Sequence, residues 1–162
     1  MTLAYMGRNV KLEINLIPKS SFFTNVRSTV SENEWDRLRR TCYQKANYRC
    51  EIFNGIGPTH AVECHEIWEY DTATKIQKLV KLIALCPACH EVNHIGLAEI
   101  RGRLEPALNH LMKVNNWTKE QAIKHHKEAF ILWNERNKIQ WALNLENLKI
   151  DDVILPTKEK QS

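Results

Sequence analysis

No apolar run in this 162-residue chain approaches the roughly 20 residues that a membrane span requires. The N-terminus also lacks the basic, apolar and small-residue succession of a secretory signal. There is no internal repeat, no linker-like stretch and no low-complexity segment, so solenoids and flexible arrays are excluded. A strong charge imbalance is missing too. The net charge of +4 and pI near 8.8 suit a polyanionic partner without demanding one. At 43% hydrophobic, the chain is long enough for one compact domain with a core and too short to expect two. These absences predict a cytoplasmic protein without membrane contact. Cysteines stay reduced there, and a Cys-x-x-Cys pair favours metal over disulfide.

What is present is concentrated between Tyr48 and His94. This third of the chain holds four of the five cysteines, Cys50, Cys64, Cys86 and Cys89, and four of the seven histidines, His60, His65, His90 and His94. Cys86-x-x-Cys89 is a knuckle that brings two thiolates to one ion, and such knuckles usually come in pairs. The expected partner would be Cys50 with a cysteine three residues on, but Phe53 stands there. A second set is all imidazole. His90 and His94 are four apart after Pro87, which suits a helix start, so both rings leave one helical face. His65 lies in the preceding extended segment, where a hairpin would carry it back over that helix. Three neutral imidazoles with an open position describe a catalytic metal site better than a structural one.

The order strand, hairpin, strand, helix, with a histidine late in the first strand and Cys-x-x-Cys-His-x-x-x-His opening the helix, resembles the HNH or ββα-metal endonucleases. The phrases Tyr48-Arg-Cys-Glu-Ile, Val62-Glu-Cys-His-Glu-Ile-Trp and Leu82-Ile-Ala-Leu-Cys-Pro-Ala-Cys-His look like one branch of small bacterial and phage HNH proteins. The likeness covers roughly residues 35 to 96. It implies a metal on His65, His90 and His94, carrying Mg²⁺, Mn²⁺, Ni²⁺ or Zn²⁺. It also implies a structural Zn²⁺ on Cys50, Cys86 and Cys89, with His60 the nearest fourth ligand. Where the family usually has its histidine base, this chain has Glu66, whose ordinary pKa of roughly 4.3 suits neutral catalysis only if burial raises it. A one-residue shift would instead make Cys64 the ligand and His65 the base; the unshifted register keeps three imidazoles together. Lys81 occupies the place of the family's asparagine and is expected to contact phosphate.

The flanks supply the rest of an α+β domain. Val10, Leu12, Ile14 and Leu16 alternate with polar residues, predicting a strand ended by Pro18. Residues 20–30 read as a loop anchored by Phe22 and Phe23, with Arg27 a solvated charge. Ser31-Glu-Asn-Glu34 is a capping box that opens a helix along Trp35, Leu38, Cys42 and Ala46, with Cys42 a buried hydrophobe. Its other face carries Arg37, Arg39, Arg40 and Lys45, a basic patch suited to backbone phosphates. The first strand is expected over Ala61 to Tyr70, after turn chemistry at Asn54 to Pro58, and the second over Ile76 to Leu85, although Ile76, Leu79, Val80 and Ile83 also fit a helix. Arg101 and Arg103 flank Gly102 in a connector. A helix with Leu104, Leu108 and Leu111 follows, and the Thr118 to Gln121 capping box opens another along Ala122, His126, Ala129, Phe130 and Trp133. His110 and His125 read as surface groups. Trp141, Leu143 and Leu145 alternate again, predicting a strand that pairs with the N-terminal one.

The expected organisation is one HNH-like domain over residues 1–156, with its ββα core at about 48–96, a helical part at about 103–137, and a polar tail at 157–162. The expected function is metal-dependent hydrolysis of nucleic-acid phosphodiesters, DNA foremost, with Glu66 as base. A catalytically degenerate HNH scaffold that binds nucleic acid or a protein is the alternative. A purely structural zinc protein would leave the three histidines without a reason.

Overall fold

A computed structural model describes residues 10–53, 62–150 and 153–154. The expected turn at Asn54 to Pro58, His60 and the tail at 157–162 lie outside these residues.

The helices begin where the capping chemistry places them. Helix α1 spans Val26–Thr29 and α2 spans Glu32–Lys45; Ser31 Oγ accepts the Glu34 N–H at 3.2 Å while the Glu34 carboxylate accepts the Ser31 N–H at 2.9 Å. Strand β1, Glu63–Asp71, and β2, Ile76–Leu85, form an antiparallel hairpin closed by Asp71, whose side chain accepts the Ala73 and Thr74 amides. Residues 76–85 are therefore strand. Helix α3, Pro87–Asn93, follows directly, then α4, Ile95–Ile100, a helix not assigned from the sequence. Gly102, at φ 73°, turns the chain into α5, Leu104–Asn115, and Thr118 caps α6, Lys119–Arg136. The result is an α+β chain with a three-stranded mixed sheet.

Among the described residues, the N-terminal segment and the strand near Trp141 do not pair with each other. Strand β3, Ala142–Asn144, runs parallel to β2, giving the order β1-β2-β3, and a separate two-stranded ribbon joins β4, Lys149–Ile150, to β5, Val153–Ile154. The N-terminal segment is extended and buries Leu12 and Ile14 alternately, as its period predicts, yet it enters no ladder among the described residues. Its backbone is satisfied by helices instead. Asn115 Oδ1 accepts the Lys11 and Leu12 amides at 2.8 and 3.1 Å, Asn115 Nδ2 donates to the Leu12 carbonyl at 2.7 Å, and the Asn15 amide donates to the Asn93 carbonyl.

Three smaller expectations are corrected. Residues 20–30 contain α1, with its own Asn25 and Ser28 capping box. Phe22 and Phe23 are 57% and 85% exposed and touch each other edge to face, so they anchor nothing in the core. His125 is buried rather than on the surface, because the face of α6 carrying Ala122 and Ala129 turns inward and Ile14 presents an amide that donates to His125 Nε2 at 2.9 Å.

Asn115 is thus the clamp between the N-terminal segment and α5. Replacing it with alanine removes four hydrogen bonds, three to the N-terminal segment and one to the Leu111 carbonyl of its own helix, of which the Lys11 bond is solvent-exposed and the Leu111 bond is local, so Asn115→Ala is expected to lower stability by about 2 kcal/mol. An unchanged urea midpoint would rule this clamp out.

Candidate metal centres

Alternation along β1 decides which side chains meet. Glu63 and His65 point toward α3, whereas Cys64 and Glu66 point to the opposite face, where Cys64 meets the Cys42 thiol of α2 and Glu66 meets the Val26 backbone of α1. Helix α3 contributes His90 from its last turn, and His94 caps its end. The three imidazoles His65, His90 and His94 converge, with ring centroids 4.7 to 5.4 Å apart and one ligand nitrogen from each within 4.8 Å of the others. His65 is 4% exposed, and its Nε2 is buried without a hydrogen-bond partner, a site whose lone pair a cation would satisfy.

Charge on these rings is suppressed. Burial, reinforced by the neighbouring imidazoles, holds His65 down to about 3 and His94 down to about 4, so both are neutral as a metal ligand must be. Glu63 was not among the expected site residues. Its carboxylate lies 2.9 Å from His90 Nδ1, the arrangement by which a carboxylate orients a metal-binding imidazole and leaves Nε2 free. Its position two residues before His65, hence on the same strand face, was the available signal.

The other predicted site residues divide between the two faces. Lys81 pairs with Ile67 in the ladder, so it is exposed on the histidine face, one step along from His65. Glu66 is not brought to the histidines. Burial pushes its carboxyl up to about 7, as a general base would need, but its hydrogen bonds go to the Val26 backbone and to Trp68, two residues along the same strand. The basic patch of α2 also lies on that far side; Arg39 and Arg40 are drawn to Asp36, at 2.7 and 3.7 Å, while Arg37 and Lys45 are exposed.

A second group forms at the opposite end of α3. Cys50, Cys86 and Cys89 are buried with their sulfurs within 4.8 Å of one another. The Cys89 thiol and the amides of Cys86, Phe53 and Ile52 all donate toward Cys50, holding it well below the usual thiol range. The Phe53 amide is 3.3 Å from Cys50 Sγ, and the Cys89 amide supports Cys86. Amides aimed at sulfur suit thiolates bound to a metal. His110 is half-buried rather than a surface group, with Nε2 3.2 Å from Cys89 Sγ, because α5 packs along α3.

Beyond Ile67, the histidine face opens into a cleft of about 610 Å³ between β1 and α6. Its charged lining is Glu13, Glu69, Glu128 and Glu135 against Arg136, which does not favour a polyanion. No protein-family model, curated protein or solved structure matches the chain. Among the described residues, no helix is long and apolar enough to cross a membrane.

Two measurements follow from this geometry. Glu63→Ala is expected to weaken metal binding at the histidine centre by roughly 10- to 100-fold, read by calorimetric titration; native affinity would remove Glu63 from its orienting role. In metal-free protein, His65, His94 and His125 are neutral when folded, at about 3, 4 and 4, against an ordinary 6.5. The unfolded chain therefore takes up protons first, and stability that is complete above about pH 6.5 is lost progressively toward pH 4. A denaturation midpoint that stays level across that window would contradict neutral burial.

Proposed function

We propose that the chain is an HNH-like, metal-dependent nuclease that hydrolyses nucleic-acid phosphodiester bonds, DNA foremost. The convergence of His65, His90 and His94 on one face of a strand, hairpin, strand and helix unit carries this reading. Three imidazoles suit Zn²⁺, Ni²⁺ or Mn²⁺ better than Mg²⁺, which prefers carboxylate and water oxygens. A divalent ion bound there would act as a Lewis acid on a phosphate oxygen. Glu63 keeps the His90 ring in place, and Lys81, exposed on the same face, is positioned to neutralise a neighbouring phosphate.

Glu66 takes no part in this reading, because its carboxylate is bonded on the far side of the sheet. That placement, together with Lys81 where the family has asparagine, favours a second reading: a non-cleaving HNH scaffold that binds nucleic acid or a protein. The two readings separate in one assay. Purified protein incubated with plasmid and Zn²⁺, Ni²⁺, Mn²⁺ or Mg²⁺ is expected to nick it. His65→Ala/His90→Ala/His94→Ala is expected to abolish nicking, while Glu66→Gln retains it within about a factor of three, less than the 10²- to 10⁴-fold typical of a lost general base. Metal bound without cleavage by any ion favours the binding scaffold, and a large loss in Glu66→Gln restores Glu66 as the base.

A further inference from the structure

We propose that His110 of α5 completes the cysteine centre, making a closed Cys₃His zinc site from Cys50, Cys86, Cys89 and His110. Three sulfurs already converge there, and a structural zinc requires four ligands. Ordinary Zn–S and Zn–N bonds of about 2.3 and 2.0 Å place tetrahedral sulfur and nitrogen ligands roughly 3.5 Å apart. His110 Nε2 stands 3.2 Å from Cys89 Sγ, so the ring already touches one of the three sulfurs and lies beside the group that the sulfurs form.

Phe53 explains why the ligand comes from a distant helix. It stands where a paired knuckle would have its fourth cysteine, and its ring meets the His110 ring edge to face, 5.3 Å between centroids and 80° between planes. Lys113, one turn along α5, covers the Phe53 ring at 5.3 Å. Phe53 has thus exchanged coordination for packing. Its backbone amide still supports the Cys50 sulfur, while its side chain holds the histidine that takes the vacated place. The consequence is architectural: zinc would tie the segment after α2, the start of α3 and α5 together at one point, independently of the histidine centre and of any nuclease activity.

The test uses the full-length protein loaded with Co²⁺, whose thiolate charge-transfer absorption reports this centre and not the all-imidazole one, followed by competition with Zn²⁺. Cys89→Ser marks the loss of the centre. His110→Ala is expected to weaken Zn²⁺ binding more than about tenfold, since loss of even a supporting partner typically costs that much. His110→Cys is expected to restore tight binding and to add the charge-transfer intensity of one further thiolate. His60→Ala is expected to leave affinity and spectrum unchanged. Native affinity in His110→Ala, a three-thiolate spectrum in His110→Cys, or a loss produced by His60→Ala in place of His110→Ala would each overturn the proposal. Plasmid nicking does not enter these readouts, so failure here and failure of the nuclease reading are separable.

Discussion

The register of the β1–β2 ladder is the constraint on which the candidate histidine centre depends. Pairing His65 with Ile83 sends Glu63 and His65 to the side where α3 lies, and Cys64 and Glu66 to the side covered by α1 and α2. A slip of one residue would exchange these sets completely, because side chains alternate with period two. The Ile67/Trp68 irregularity, opposite Val80, comes after the functional residues and leaves their facing intact. Strand β2 is held on its second side by parallel β3 only over Ile76–Lys78, at the hairpin end away from His65.

Helix α3 converts that register into two separate ligand sets. Its first turn carries Cys86 and Cys89, and its last turn presents His90 and His94 toward β1. Cys50 is drawn to the first set by the end of β2, where Glu51 exchanges hydrogen bonds with the Ala84 backbone, 2.9 Å through its amide and 2.6 Å through its carboxylate. A helix of only seven residues has little stability of its own. Its position comes from burial of Cys89, Val92 and Asn93, from the hairpin and from α5, with Asn93 receiving the N-terminal segment at its far end.

Charge is distributed in keeping with this division. The histidine face has an exposed Lys81, whereas the adjoining cleft is rich in carboxylates. Arginines of α2 lie across the sheet, partly drawn to Asp36, so they would serve a separate contact. Burial raises Glu66 to a pKa suited to acid–base chemistry but aims it at a helix backbone. A favourable pKa without proximity does not make a base.

Local chemistry was legible in the residues. The capping boxes at Ser31 and Thr118, the strand at 76–85 suggested by resemblance, and the His90/His94 spacing each depend on neighbours a few positions away, and each is found. Alternating burial of Leu12 and Ile14 was also legible, but not their partner: period two states which face is apolar, while helix side chains such as Asn115 can satisfy an extended backbone as well as a strand does. The same limit explains His110 and His125, whose contacts lie 21 and 111 residues away in sequence. Sequence by itself determined which groups were available as ligands and which local elements would carry them, because propensity and periodicity act over a few residues. Only the tertiary structure decided which side of the sheet each group faces and which distant helix reaches the sulfurs, because ladder register and helix docking are set by the burial of the whole core.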